Sequence, residues 1–322
     1  MAPPDTTAAR DPAADAAPAG NPFDLDDDRA YRRWRDWKLA RHPQRVEDLI
    51  VDVRDPRQLD ATERAALLDR IVRANMALYR SPVLAEDREL PRRLGAQLGL
   101  QRLDAHWLAD EDGIASIAVH GADTQPGAAD DRGAFIPYTD RPIRWHTDGY
   151  YHPAGRRIRG MILHCVRPAR SGGVNRLLDH EMAYIALRDT APGHVRALMR
   201  DDAMTIPERT DTDGVARAAQ TGPVFAVDRQ DGGLHMRYTA RTRSIAWKED
   251  AAMQAARACL EALLASDLKW IFTIRMEAGM GLAGHNVLHD RSGFDDDPAQ
   301  PRLLYRARFL DRVQAPAAGP AP

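Results

Sequence analysis

With 322 residues and 35.8 kDa the chain can bury a substantial core, and its formal charge of -2 leaves no electrostatic footprint for nucleic acid or an acidic membrane surface. Its two cysteines, Cys165 and Cys259, stand far apart in apolar patterns, which argues for reduced thiols against a disulfide framework or a zinc cluster. No apolar run approaches membrane-spanning length and no basic segment leads into a hydrophobic one at the start, so a cytoplasmic location without a membrane partner is expected.

Residues 1–22 are Ala, Pro, Asp and Thr with almost nothing to bury, and a Pro/Ala run follows Val313. Disordered tails over 1–22 and 314–322 are therefore expected around a single domain, 23–313. From Asp26 onward Tyr31, Trp34 and Trp37 recur at helical spacing among arginines, the pattern of a packing helix. Asp60 as a cap, Glu63 three residues on, and Leu67, Ile71, Ala74 and Leu78 predict a second helix. A third, short one is predicted over 90–98, with Pro91 in its first turn.

The texture then changes to short apolar strands, predicted over 114–119, 158–166, 223–227, 234–239, 270–276, 281–288 and 303–310. Two helical insertions are predicted among them, 179–200 and 249–264, the latter with Met253, Ala256, Leu260 and Leu263 on one face. This is not the alternation of a doubly wound fold. It reads as α+β: a jelly-roll core of two facing sheets, the double-stranded β-helix, with helices packed outside.

Chemistry gathers at Trp145-His146-Thr147-Asp148-Gly149-Tyr150-Tyr151. In an extended strand His146 and Asp148 share a face, two members of a two-histidine, one-carboxylate triad of the kind that holds non-haem Fe(II). A third ligand has to come from a distant histidine. His289 is the best candidate and His285, four residues earlier in the same predicted strand, its rival. Further on, Arg302, Arg306 and Arg308 share one strand face while Leu303, Tyr305, Ala307 and Phe309 share the other. Arginines on such a strand are expensive to bury unless anions meet them.

From the His146-Thr147-Asp148 triplet through His289 to Arg302, the sequence resembles the TauD/TfdA family of Fe(II)/2-oxoglutarate dioxygenases over roughly residues 114–312. Tyr138-Thr139, Leu163-His164-Cys165 and Ser171-Gly172-Gly173-Val174-Asn175 resemble its butyrobetaine and trimethyllysine hydroxylase branch. The resemblance implies that His146, Asp148 and His289 bind iron, the spacing to Arg302 favouring His289 over His285. It implies that Arg302 pairs with the far carboxylate of 2-oxoglutarate, and that Asn175 stands where taurine-oxidising members use a threonine for the same carboxylate. Consumption of 2-oxoglutarate and O2, with succinate and CO2 released, follows from the same likeness. Because Asp148 is present, hydroxylation or oxidative cleavage is implied in preference to halogenation.

For the substrate the resemblance is divided. Tyr138 matches an aromatic cage residue for quaternary ammonium groups, but Arg308 falls where that branch has a cage tyrosine, and a guanidinium there repels a cation. Arg306 falls where taurine-oxidising members grip a sulfonate. A small anionic metabolite is therefore expected, bound by Arg306, Arg308 and Tyr138, in a homo-oligomeric enzyme. A hydroxylase of a quaternary ammonium substrate, a silent jelly roll that senses a metal or carboxylate, and a zinc hydrolase on the same ligands are the competing readings.

Overall fold

Side-chain caps decide where the early helices begin. The computed structural model describes residues 20–104, 112–120, 135–211, 214–241 and 245–314, and the chain divides at His42 into two units. Of the expected tails, 1–19 and 315–322 lie outside the described residues. In the first unit α1 (Asp28–Arg41) opens on Asp27, whose carboxylate accepts from the Ala30 N–H, and Phe23 meets buried Trp34 edge-on at 5.0 Å.

In the second unit α2 (Ala61–Ala74) starts at a reciprocal capping box: Asp60 accepts from the Glu63 N–H and Glu63 from the Asp60 N–H. It stops one turn short of the predicted pattern, because Asn75 takes a left-handed conformation, φ 59°. Leu78, predicted on this helix, lies instead on a strand. The third helix, α3 (Leu90–Gln97), carries Pro91 in its first turn as expected.

The strands are β1 (Ile50–Asp52), β2 (Met76–Arg80), β3 (Ile114–Ile117), β4 (Ile143–His146), β5 (Gly160–Arg167), β6 (Asn175–Leu178), β7 (Ile271–Ile274), β8 (Met280–His285), β9 (Leu288–Arg291) and β10 (Leu303–Phe309). They form the two sheets of a jelly roll. One has the order β1-β2-β8-β5-β10-β3, antiparallel except for β1 with β2, and the other the order β7-β6-β9-β4. Period-two alternation sorts the large sheet's side chains. Tyr79, Ile162, Ala283, Tyr305, Ala307 and Phe309 pack outward with Leu67, Ile71, Leu94 and Leu98 of the helices. Leu78, Met161 and Leu282 face inward, where they meet Leu177 and Phe272 of the small sheet.

Between β6 and β7 the chain inserts α4 (His180–Thr190), α5 (Pro192–Leu198), several short strands and α6 (Ala251–Ala265). The predicted helix over 179–200 is thus two, broken at the extended Ala191 before Pro192. On α6 Leu264 is buried where Leu263 was expected, beside Met253, Ala256 and Leu260. Among the described residues no helix is long and apolar enough to cross a membrane.

The strand predicted over 281–288 is also two, one in each sheet. The crossing begins at Gly284, φ 154°, where a Cβ would stand 2.5 Å from the Asn75 carbonyl oxygen. Gly284→Ala should therefore lower the melting temperature by several degrees, equivalent to roughly 2 kcal/mol or more. An unchanged melting curve would show that the crossing relaxes freely.

His164 packs on the outer face, its Nδ1 2.9 Å from the Tyr79 hydroxyl, and burial holds it down to about 4. The folded state excludes a proton that the unfolded chain takes up near 6.5. The stabilisation from neutral His164 is complete above about 6.5, and is lost as pH falls from there towards about 4, by at most ~3 kcal/mol. Urea midpoints of His164→Asn should decline less steeply over this interval than those of the parent. Parallel declines would assign the acid sensitivity elsewhere.

Candidate active site

The site is built on one register. β9 pairs antiparallel with β4 so that His289 stands directly opposite His146, and opposed residues project to the same face. Their rings lie 4.2 Å apart between centroids, inclined by 52°. Each Nδ1 lies on a main-chain carbonyl, His146 on Arg144 at 3.0 Å and His289 on Val287 at 2.9 Å. A carbonyl oxygen only accepts, so both Nδ1 atoms carry hydrogen, and Nε2 is the atom each ring can offer a ligand. Burial, reinforced by His289 and opposed by Asp148, takes His146 down to about 3, which keeps it neutral.

Asp148 is not on the strand, which ends at His146, but in the turn that follows. Thr147 is fixed by Tyr238, its N–H donating to the Tyr238 carbonyl at 3.0 Å and its Oγ1 accepting from the Tyr238 N–H at 3.1 Å. Asn286 fixes Asp148. Its Oδ1 accepts from the Asp148 N–H at 2.8 Å, and its Nδ2 donates to the carbonyls of Asp148 at 2.8 Å and Ile158 at 3.0 Å. The turn needs Gly149 at φ 65°, because a Cβ there would come within 2.5 Å of Ile158.

So held, Asp148 Oδ1 is 3.9 Å from His146 Nε2, too far for a hydrogen bond, and one donor atom from each of His146, Asp148 and His289 lies within 4.8 Å of the others. Asp148 Oδ2 is buried with no partner. Burial alone would raise this carboxyl, but the guanidiniums of Arg306 and Arg308 outweigh it and hold it well below the ordinary carboxylate range. Two imidazoles with their Nδ1 atoms engaged by main-chain carbonyls, and an ionised carboxylate with an orphaned oxygen, fit a divalent metal of the iron type. His285 does not join them. It belongs to the other sheet, opposite Gly160, with its Nδ1 2.6 Å from Asn75 Oδ1.

Arg302 stands before β10 against a small cavity, which Cys165, Gly173, Asn175, Met276 and Leu304 also line. Its guanidinium stacks on Phe294 at 4.9 Å and has no hydrogen-bond or ion-pair partner among the described residues, although its own N–H donates to Asp296 Oδ1 at 2.7 Å. Burial lowers it to about 10, against Cys165 and Asp296, so it remains a cation at neutral pH. Asn175 faces the same cavity, but its Nδ2 donates to the Asp290 carbonyl at 3.1 Å and its Oδ1 is buried without a partner.

The remaining predicted residues separate. Arg306 donates from Nη1 to Asp148 Oδ1 at 3.2 Å, beside the histidines. Arg308 is committed to Asp104, Nη2 to Oδ2 at 2.7 Å, and to the Tyr151 hydroxyl at 3.1 Å. Asp104 also takes Arg156 Nε at 2.7 Å. Tyr138 is wholly buried in an apolar cluster with Ala115, Ile117, Cys165, Met276 and Leu304. Sequence reasoning passed over Asp104, Asn286 and Arg291. The last lies buried behind the site and donates to the carbonyls of Thr139 at 2.7 Å and Arg141 at 2.5 Å, anchoring the approach to β4. Only their placement beside His289 could have marked Asn286 and Arg291, and no sequence signal marks Asp104.

The model of the family described as "Taurine catabolism dioxygenase TauD, TfdA family" matches residues 38–308. A uridine-5'-phosphate dioxygenase of Streptomyces sp is 30% identical over 213 residues, which span 65% of this chain and 73% of that protein. Among solved structures, AAD-2 in complex with Mn(II) and N-oxalylglycine is similar at a TM-score of 0.56 and 15% identity, covering 83% of this chain and 96% of that one. Asparagine oxygenase in complex with Fe(II), 2S,3S-3-hydroxyasparagine and succinate is similar at 0.54 and 15%, covering 92% and 88%. At these identities the structural likeness speaks for the fold.

Proposed function

Because the chain belongs to the TauD/TfdA family of Fe(II)- and 2-oxoglutarate-dependent dioxygenases, we propose that His146, Asp148 and His289 hold its iron and that Arg302 takes the far carboxylate of 2-oxoglutarate. The enzyme is an oxygenase of a small metabolite, using Fe(II), 2-oxoglutarate and O2 and releasing succinate and CO2. The observation that carries the assignment is the pairing of an empty-handed guanidinium at Arg302 with three converging donors that lack a common partner.

When bound, iron and 2-oxoglutarate supply the oxidising chemistry that attacks a C–H bond. The protein's part is placement. The carbonyls of Arg144 and Val287 aim both Nε2 atoms inward, and Asn286 keeps the Asp148 carboxylate on the same side. Arg302 offers a planar fork that matches a carboxylate at two points, with Asn175 as its neighbour in the cavity. Arg306 balances the charge of Asp148 and faces the substrate.

For the substrate we propose an anionic metabolite, a nucleoside 5'-monophosphate being the first to test, given the uridine-5'-phosphate dioxygenase relative. Arg308 supports an anion only indirectly, since Asp104 neutralises it, and the burial of Tyr138 supports a packing role in place of a cage. A cytoplasmic location accords with two free cysteines.

His146→Ala, Asp148→Ala and His289→Ala should each abolish succinate release and weaken Mn(II) binding by at least about tenfold, whereas His285→Ala should keep both. A dead His285 variant beside an active His289 variant would reverse the ligand assignment. Arg302→Ala should spare metal binding and raise the KM for 2-oxoglutarate by about a hundredfold or more, with Arg302→Lys recovering part. An unchanged KM would move the carboxylate to Arg306.

A further inference from the structure

The two tyrosines that follow Asp148-Gly149 carry a second set of cations. Tyr150 and Tyr151 meet at 5.2 Å and 85°, ring edge to ring face, and the Tyr151 hydroxyl accepts from Arg308. Arg217 lies over the Tyr151 ring, its Cζ 5.9 Å from the centroid, and Arg241 donates from Nη1 to the Tyr150 hydroxyl at 3.1 Å. Arg209 stacks on Phe135 at 5.4 Å and is close enough to Arg217 to disfavour its charge.

Arg217 is half-buried, and among the described residues its guanidinium hydrogen-bonds to main-chain carbonyls, Nη2 to Pro207 at 2.5 Å and Nη1 to Ala218 at 3.3 Å. Among the described residues no carboxylate pairs with it or with Arg241. Many of the described arginines do have an acid, as Arg308 has Asp104 and Arg176 has Asp290. A guanidinium kept partly out of water, next to another cation and with no anion among the described residues, gains when a ligand supplies the charge. Its carbonyl bonds leave three N–H groups without a hydrogen-bond partner among the described residues, in a fixed plane.

We infer that Arg217, on the Tyr151 ring, and Arg241, with the Tyr150 hydroxyl it contacts, form a phosphate seat at the rim of the active site. The seat takes a phosphate monoester and turns the rest of the substrate towards Asp148 and Arg306. A dianion with several acceptor oxygens satisfies two guanidiniums and a phenol at once, which a single carboxylate does less completely. The inference rests on the reading of the substrate as a phosphorylated metabolite.

The test is equilibrium binding to the full chain loaded with Mn(II) and 2-oxoglutarate, with three probes: inorganic phosphate, uridine 5'-phosphate and uridine. Wild type should bind uridine 5'-phosphate more tightly than uridine. Arg217→Gln and Arg241→Gln should each weaken phosphate and uridine 5'-phosphate by about tenfold while leaving uridine unchanged, and Arg217→Lys should recover part of the loss. Unchanged uridine binding and an unchanged melting curve show that the variants are folded. If wild type prefers the nucleotide and both Gln variants keep that preference, the seat is overturned and the phosphorylated substrate stands. A loss confined to Arg306→Gln has the same meaning and moves the phosphate inward. If wild type binds uridine 5'-phosphate and uridine alike, the nucleotide reading falls; loss of inorganic phosphate in Arg217→Gln then still supports the seat, and undiminished or absent phosphate binding overturns it too.

Discussion

The pairing of β4 with β9 is the constraint on which the site depends. Side-chain direction in a sheet has a period of two, so a slip of one residue would turn His146 or His289 to the opposite face. Yet β4 is a four-residue strand at the edge of its sheet, with few ladder hydrogen bonds to resist such a slip. The register is secured from outside the ladder. Arg291 grips the carbonyls before the strand, Tyr238 brackets Thr147 after it, and Asn286 ties the next turn to the crossing between sheets. Three buried polar contacts do what a longer strand would otherwise do.

The inner face of β10 meets the problem of buried cations in three different ways. Arg308 pairs with Asp104, which it shares with Arg156, Arg306 pairs with the carboxylate of Asp148, and Arg302 has, among the described residues, only the face of Phe294. Desolvation weighs on Arg302 enough to depress its proton affinity without discharging it. Charge is thus satisfied by the protein at one end of the strand and withheld at the other. That asymmetry sets Arg302 apart from Arg306 and Arg308, and residue type alone does not reveal it.

Features written in local chemistry were legible in the sequence. Asp60 with Glu63, Pro91 in a first turn and the alternation along β10 each depend on neighbours a few residues away. The jelly roll and the converging donors of His146, Asp148 and His289 were likewise in view. What misled was continuity. Leu78 extends the periodicity of α2, and His285 extends the apolar run to His289, although Asn75 and Gly284 break the chain's direction between them. Asp104 and Asn286 were invisible for another reason: their partners lie far away in sequence, and a lone Asp or Asn carries no period.

The tie between Asp148 and Asn286 also says when the site can come into being. Its two halves are separated by β5, β6 and the whole helical insertion, so no local segment can rehearse the arrangement, and closing so long a loop precedes any reward from the contact. During synthesis the motif around His146 emerges with its partner strand still unmade. The three donor groups come together only after nearly all the chain is available to fold, and an ion bridging them would bind the finished fold in preference to its precursors, adding its binding energy to the stability of that fold.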